Sequence, residues 1–147
     1  MASRFPYIYG SMYNAGSPIT VTFLDQTDYF LIGGTWTAGA LRGITFTNNY
    51  GLTLSMTGYY LVTYFISISH GGTVGQNYVL QIYKDAVPIN QTWQQQRVPA
   101  GPVVFSCGGS SSFYALAGQE ITLHLRNGNT YTTGDVKYCQ VNLVRVE

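Results

Sequence analysis

Charge is what this sequence has least of. Asp, Glu, Lys and Arg make up 9% of its 147 residues, against about 25% in an ordinary soluble domain. Seven basic residues face six acidic ones and none of them gather into a run. No positive stripe is available to neutralise phosphates, which argues against a nucleic-acid partner. Disorder is excluded as well, because it needs low hydrophobicity with high net charge, and 46% of this chain is apolar at a net charge of +1. Two cysteines, Cys107 and Cys139, are too few for a disulfide framework. Two small buried hydrophobes are expected there, with a Cys107–Cys139 bridge as the alternative. No segment approaches the roughly 20 apolar residues of a membrane helix, and the opening MASRFPYIYG lacks the apolar stretch of a signal peptide. The expectation is a protein made in a cytosol, with no membrane partner.

The groups that carry chemistry are equally sparse. His70 and His124 lie far apart, one before a Gly-Gly pair and one expected on the wet side of a strand. No His-x-His or Cys-x-x-Cys spacing offers a metal site, and no Gly-rich loop followed by Lys offers a phosphate cradle. Asp25, Asp28, Asp85, Glu120, Asp135 and Glu147 are scattered over predicted turns and ends. Nothing marks two of them as a pair for glycoside hydrolysis. Asp25 and Asp28 either cap a turn or ligand calcium. No catalytic residue, metal or cofactor is expected, and the chain is read as a non-enzyme.

What is present is strand after strand. Runs rich in β-branched and aromatic residues alternate with Gly, Asn, Pro and Ser. They predict strands over Phe5–Tyr9, Ile19–Phe23, Tyr29–Ile32, Ile44–Thr47, Leu52–Met56, Tyr59–Ser69, Tyr78–Lys84, Thr92–Val98, Phe113–Leu116, Ile121–Arg126 and Val136–Val146. Breakers at Asn48-Asn49, Gly71-Gly72, Asn127–Asn129 and Thr133–Asp135 predict the turns. Helical periodicity is almost absent. One all-β domain over residues 1–147, a sandwich or barrel, follows. Its length suffices for a core of its own.

Two strands say more. In Ile121–Arg126 the residues Ile121, Leu123 and Leu125 alternate with Thr122, His124 and Arg126, which predicts one buried and one wet face. In Tyr59–Ser69 both faces carry large apolar groups: Tyr60, Val62, Tyr64, Ile66 and Ile68 on one, Tyr59, Leu61 and Phe65 on the other. The outer face of a lone sandwich should be polar. The second face of this strand needs a cover, and a neighbouring copy is the economical one.

Gly58-Tyr59-Tyr60-Leu61-Val62-Thr63-Tyr64 resembles the Gly-x-Tyr strand of the tumour-necrosis-factor and complement globular-head superfamily. Leu116–Leu123 is similar to that family's Leu…Gly-Asp-x-Ile-x-Leu turn and strand, with one residue fewer before Gly118 and Gln119-Glu120 after it. Val141–Val146 resembles the closing strand. The match covers roughly residues 44–147. The resemblance implies a jelly roll of about ten strands that forms a homotrimer. It implies that Leu61, Thr63, Phe65, Phe113, Tyr138, Gln140, Asn142 and Val144 face the threefold axis. Tyr60, Val62, Tyr64, Cys139, Val141 and Leu143 would fill the core.

The family includes animal signalling proteins and phage or bacterial surface proteins. The hydroxyl- and amide-rich, nearly uncharged composition suits the second kind, where copies sit side by side in an array. The expectation is a structural virion protein: a trimeric decoration (cement) protein on the outer surface of a phage head, made in the host bacterial cytoplasm and bound to the major capsid protein or another virion protein. The alternative is a receptor-binding knob of a phage fibre that recognises host glycans, which would need a stalk from a longer chain or from another protein. Within Met1–Gly16, Arg4, Phe5, Tyr7 and Tyr9 either belong to a first strand or form an arm that docks on the capsid. Trp93, Gln94, Gln95 and Gln96 offer an indole and planar amides for a glycan, unless Trp93 is tucked into the core.

Overall fold

A chain of short apolar-alternating strands hides its side chains by laying two sheets face to face. The computed structural model does this with two antiparallel sheets and thirteen strands. It describes all residues except 1–6, 15, 71–74, 100–102 and 129–132. The strands are β1 Tyr9–Asn14, β2 Ile19–Thr22, β3 Phe30–Leu31, β4 Thr37–Arg42, β5 Ile44–Thr47, β6 Gly51–Leu54, β7 Gly58–His70, β8 Gln76–Lys84, β9 Val87–Pro88, β10 Gln94–Val98, β11 Val103–Ala115, β12 Glu120–Asn127 and β13 Thr133–Arg145. The first sheet runs β11-β7-β13-β1-β4, with β2 also paired to β13. The second runs β10-β8-β12-β6-β5, with β3 on β12 and β9 on β8.

The count exceeds ten because β3 and β9 are two-residue ribbons and the chain before Phe23 pairs with β13 in two pieces. Between the sheets lie Tyr60, Val62, Tyr64, Ile66 and Ile68 of β7 and Cys139, Val141 and Leu143 of β13, all buried. Leu80 and Ile82 of β8 and Ile121, Leu123 and Leu125 of β12 meet them from the other sheet. The buried tyrosines reach backbone acceptors: Tyr60 donates to the Met56 carbonyl and Tyr64 to the Thr92 carbonyl. Thr92, in the 3-10 turn Asn90–Thr92, also accepts from the Ile82 amide at 2.9 Å and donates to the Ile89 carbonyl at 2.7 Å. Tyr60, Tyr64 and Thr92 are thereby paired, as buried polar groups in a core should be, whereas Asn14 Oδ1 is buried with no partner.

Several expectations are corrected. The first strand begins at Tyr9 rather than ending there. β4 was unforeseen, and β11 is 13 residues long where four were expected. Thr133–Asp135 is strand rather than turn. Cys107 and Cys139 both pair in register with Ile66, on opposite sides of β7. Two strand spacings, about 10 Å, separate them, beyond the roughly 7 Å a disulfide spans, and both thiols are free.

Candidate interaction surface

Register brings the candidate residues together. Phe65 of β7 lies opposite Gln140 of β13 and Gly108 of β11, and Tyr13 of β1 lies opposite Gln140. The next row is Ser11, Asn142, Thr63 and Ser110. The third is Tyr9, Val144, Leu61 and Ser112. None of these twelve residues is charged; Arg42 of β4, opposite Tyr9, extends the third row. Successive side chains on a strand alternate, so the rows face away from the core that Tyr60, Val62 and Tyr64 fill. Leu61 is 41% exposed and Phe65 39%. Tyr59 and Tyr114, ring centroids 5.2 Å apart, extend the apolar area.

The polar members of this face are already oriented. The Tyr138 hydroxyl donates to Gln140 Oε1 at 2.9 Å, and Gln140 Nε2 donates to Asn142 Oδ1 at 3.2 Å. The Tyr138 ring meets Phe65 edge-on at 5.8 Å. A surface so arranged presents an apolar patch with prealigned amides, which suits burial against another protein surface. On its flank β11 offers only Gly108, Ser110 and Ser112. A Cβ at Gly108 would stand 2.5 Å from the Tyr64 carbonyl oxygen, so the close approach of β11 to β7 requires glycine there.

Seven of the eight residues assigned to the axial face share it. Phe113 does not. Paired with Tyr60 in register, it points into the core, where it is 4% exposed and stacks on the Tyr60 ring at 6.3 Å. Of the proposed docking residues, Arg4 and Phe5 lie outside the described residues. Tyr9 belongs to β1, and Tyr7 packs on it with ring centroids 5.3 Å apart. Trp93 is 43% exposed, which excludes its placement in the core. It opens onto β10, the edge strand that carries exposed Gln95 and Gln96, while Gln94 turns toward Tyr64 and Gly109.

The outer face of the second sheet behaves differently. His124 stacks on Tyr83 at 3.8 Å with 21° between the rings. Arg126 lies 5.2 Å over the Tyr29 ring, and Tyr29 meets Tyr83 at 6.0 Å. Gln81, opposite His124, is buried and donates to the Ile89 carbonyl at 3.3 Å. The wet face expected for β12 is therefore largely covered by the chain's own residues. Loss of solvent pushes the His124 imidazole down to about 4. Beneath this face Asp25 caps a turn, its Oδ1 accepting from the amides of Thr27 at 2.8 Å and Asp28 at 2.7 Å, which holds its carboxyl down at about 2. Among the described residues no three of His, Cys, Asp and Glu converge on a point.

No family model matches the sequence, and no curated protein does. Solved structures do match. The tumour-necrosis-factor protein Eiger of S. frugiperda superposes with a TM-score of 0.67 over 97% of this chain and 94% of its own, at 16% identity. This chain has a TNF-like jelly-roll fold. The globular domain of zebrafish complement 1qA gives 0.62 over 95% and 98% at 13% identity, and murine APRIL gives 0.55 over 94% and 99% at 14%. At such identities the likeness concerns the fold.

Proposed function

We propose that this chain is a homotrimer whose threefold axis lies against the face of Leu61, Phe65, Gln140 and Val144. The trimer serves as a structural virion protein, a decoration or cement protein on the outer surface of a phage head. The observation that carries the trimer is the uncharged, half-exposed apolar side of β7, flanked by prealigned amides and left open by the other described residues. Closing a ring of three buries that face once on every protomer. The TNF-like fold supports the same arrangement.

The decoration role rests on composition: 9% charge and a hydroxyl-rich surface suit copies held side by side. Its mechanism is mass action. A trimer that binds only the assembled shell stabilises that shell, and three weak contacts to the major capsid protein add by avidity. Tyr7, with Arg4 and Phe5 before it, would make those contacts, since Tyr9 shares the row of Leu61 and Val144. No catalysis is assigned. A second reading, a knob that recognises host glycans, draws on exposed Trp93 beside Gln95 and Gln96.

Light scattering at low and high protein concentration tests the trimer. A concentration-independent mass of three chains is expected, and a monomer overturns it. Copy number on purified particles separates the two roles: on the order of hundreds for a cement protein, a few dozen at most for a knob.

A further inference from the structure

β11 ends its sheet, with β7 on one side of it only. Two carbonyls on its open edge are held by side chains that reach across from the chain of the other sheet. Lys84, at the end of β8, donates from Nζ to the Tyr114 carbonyl at 2.8 Å. Gln91, in the 3-10 turn, donates from Nε2 to the Ser112 carbonyl at 3.0 Å. Both bonds lie at the surface, within reach of solvent.

The clasps cover the acceptors of this edge and leave its donors. The amide and the carbonyl of a strand residue point to the same side. The Tyr59 amide donates to the Glu147 carbonyl and the Tyr59 carbonyl accepts from the Val146 amide, each at 2.8 Å. Tyr59 is thus turned toward the end of the chain, and Tyr60, the next residue, toward Phe113 of β11. On either side of Phe113, the backbone groups of Ser112 and Tyr114 point away from β7. Their N–H groups open outward beside the clasped carbonyls, and no acceptor meets either among the described residues. Lys84 keeps ammonium protons to spare, and Gln91 an amide hydrogen.

These donors border a cavity of about 310 Å³, at the small end of the roughly 300–1,000 Å³ of ligand sites. Lys84, Gln91 and Tyr114 line it with Pro88, Ile89 and Phe113. No acidic residue does, and Lys84 forms no ion pair with a described residue. Asp85, next in sequence, is bonded instead to the Glu120 amide at 2.8 Å. A guest must therefore bring acceptors and negative charge at one end and carbon at the other. A neutral sugar would leave the ammonium without a countercharge. Inorganic phosphate would meet the charge but set its other oxygens against Pro88, Ile89 and Phe113, at a cost in hydration. We infer that this cavity binds a carboxylate carried on a short apolar group, the carboxylate accepting from Lys84 Nζ and the Tyr114 N–H. A polypeptide C-terminus with an apolar last residue and a small free acid both present that chemistry.

This site does not depend on the trimer or on the virion role. The probes are N-acetylvaline, N-acetylalanylvaline and isovalerate at neutral pH, with the amides of the same compounds and inorganic phosphate as controls. Amide shifts of the labelled full chain at Ser112, Tyr114 and the Gln91 side chain report binding. At least one carboxylate should saturate them with a dissociation constant of about 1 mM, and its amide should bind at least about tenfold more weakly. Lys84→Met keeps the aliphatic stem, removes the ammonium and should weaken the carboxylate at least about tenfold. That variant also loses the clasp on β11, so the comparison of acid with amide on the unaltered chain is the second measurement. N-acetylalanylvaline binding more tightly than isovalerate supports a polypeptide C-terminus as the guest, and the reverse order supports a free acid. The carboxylate site is refuted if no acid moves these amides up to about 50 mM. It is equally refuted if the amides, or phosphate, bind as well as the acids.

Discussion

The two sheets treat their outer faces in opposite ways. On the second sheet, Tyr29, Tyr83, His124 and Arg126 stack on one another and the chain covers its own surface. On the first, Leu61 and Phe65 stand about two-fifths exposed among the described residues. Both faces are rich in aromatic side chains. The difference is that one has spent its aromatic surface on intramolecular contacts and the other has kept it. A sandwich with one self-covered face and one bare face is already asymmetric in what it can bind.

Charge placed on the bare face should break the comparison most sharply. Phe65→Asp leaves a folded monomer with an unchanged far-ultraviolet spectrum, because the side chain reaches water in the free chain. In the trimer it would bury an unpaired carboxylate three times over, at about 3–5 kcal/mol each. Light scattering should read one chain mass, and a surviving trimer would mean that β7 presents its other residues to the partner.

Acid probes the self-covered face. His124 has a folded-state pKa of about 4, below its ordinary 6.5, so the unfolded chain binds more protons between those values. Stability should therefore be full above pH 6.5 and fall as pH drops toward 4, by about 2 kcal/mol once the solvent-touching part of the ring is discounted. Tyr83 stacks on its ring and Thr122 bonds to its Nε2, and Tyr29, Asp28 and Arg126 surround Tyr83. Urea unfolding at pH 7 and pH 4 measures the loss, and His124→Gln should flatten it.

Tyr83→Ala removes the stack from the same face. It should lower monomer stability by about 1–2 kcal/mol while leaving the trimer's mass alone. That is the reverse of what Phe65→Asp does. Trp93→Ala, on the edge strand β10, should change stability by less than about 0.5 kcal/mol, as read from the denaturation midpoint.

Alternation made the two sides of β7 legible, because one rule decides eleven residues at once. The limits are β5 and β11. The residues of Ile44–Thr47 form a strand with the bounds expected, closed by Asn48 and Asn49 at positive φ. Gly108, Gly109 and Ser110–Ser112 fall in no expected strand yet lie in the middle of a 13-residue one. Glycine is needed there for space rather than for a turn, and space depends on a neighbouring strand that no local pattern reveals. β4 was missed for a related reason: Thr37–Arg42 has no β-branched alternation and is strand through its pairing with β1. Phe113 was misassigned because the resemblance placed its strand while its register with Tyr60 decides its side. The cover over His124 comes from Tyr83 on the neighbouring strand, some forty residues earlier, which the alternation in β12 cannot announce. The clasp of Lys84 on the Tyr114 carbonyl spans 30 residues and both sheets, which no local pattern holds.

Cys107 and Cys139 flank Ile66 on either side of β7 and cannot meet. The internal architecture is consequently indifferent to redox poise. One set of contacts serves in a glutathione-rich interior and in air-saturated water, so crossing from one to the other adds no crosslink within the chain and needs no isomerase.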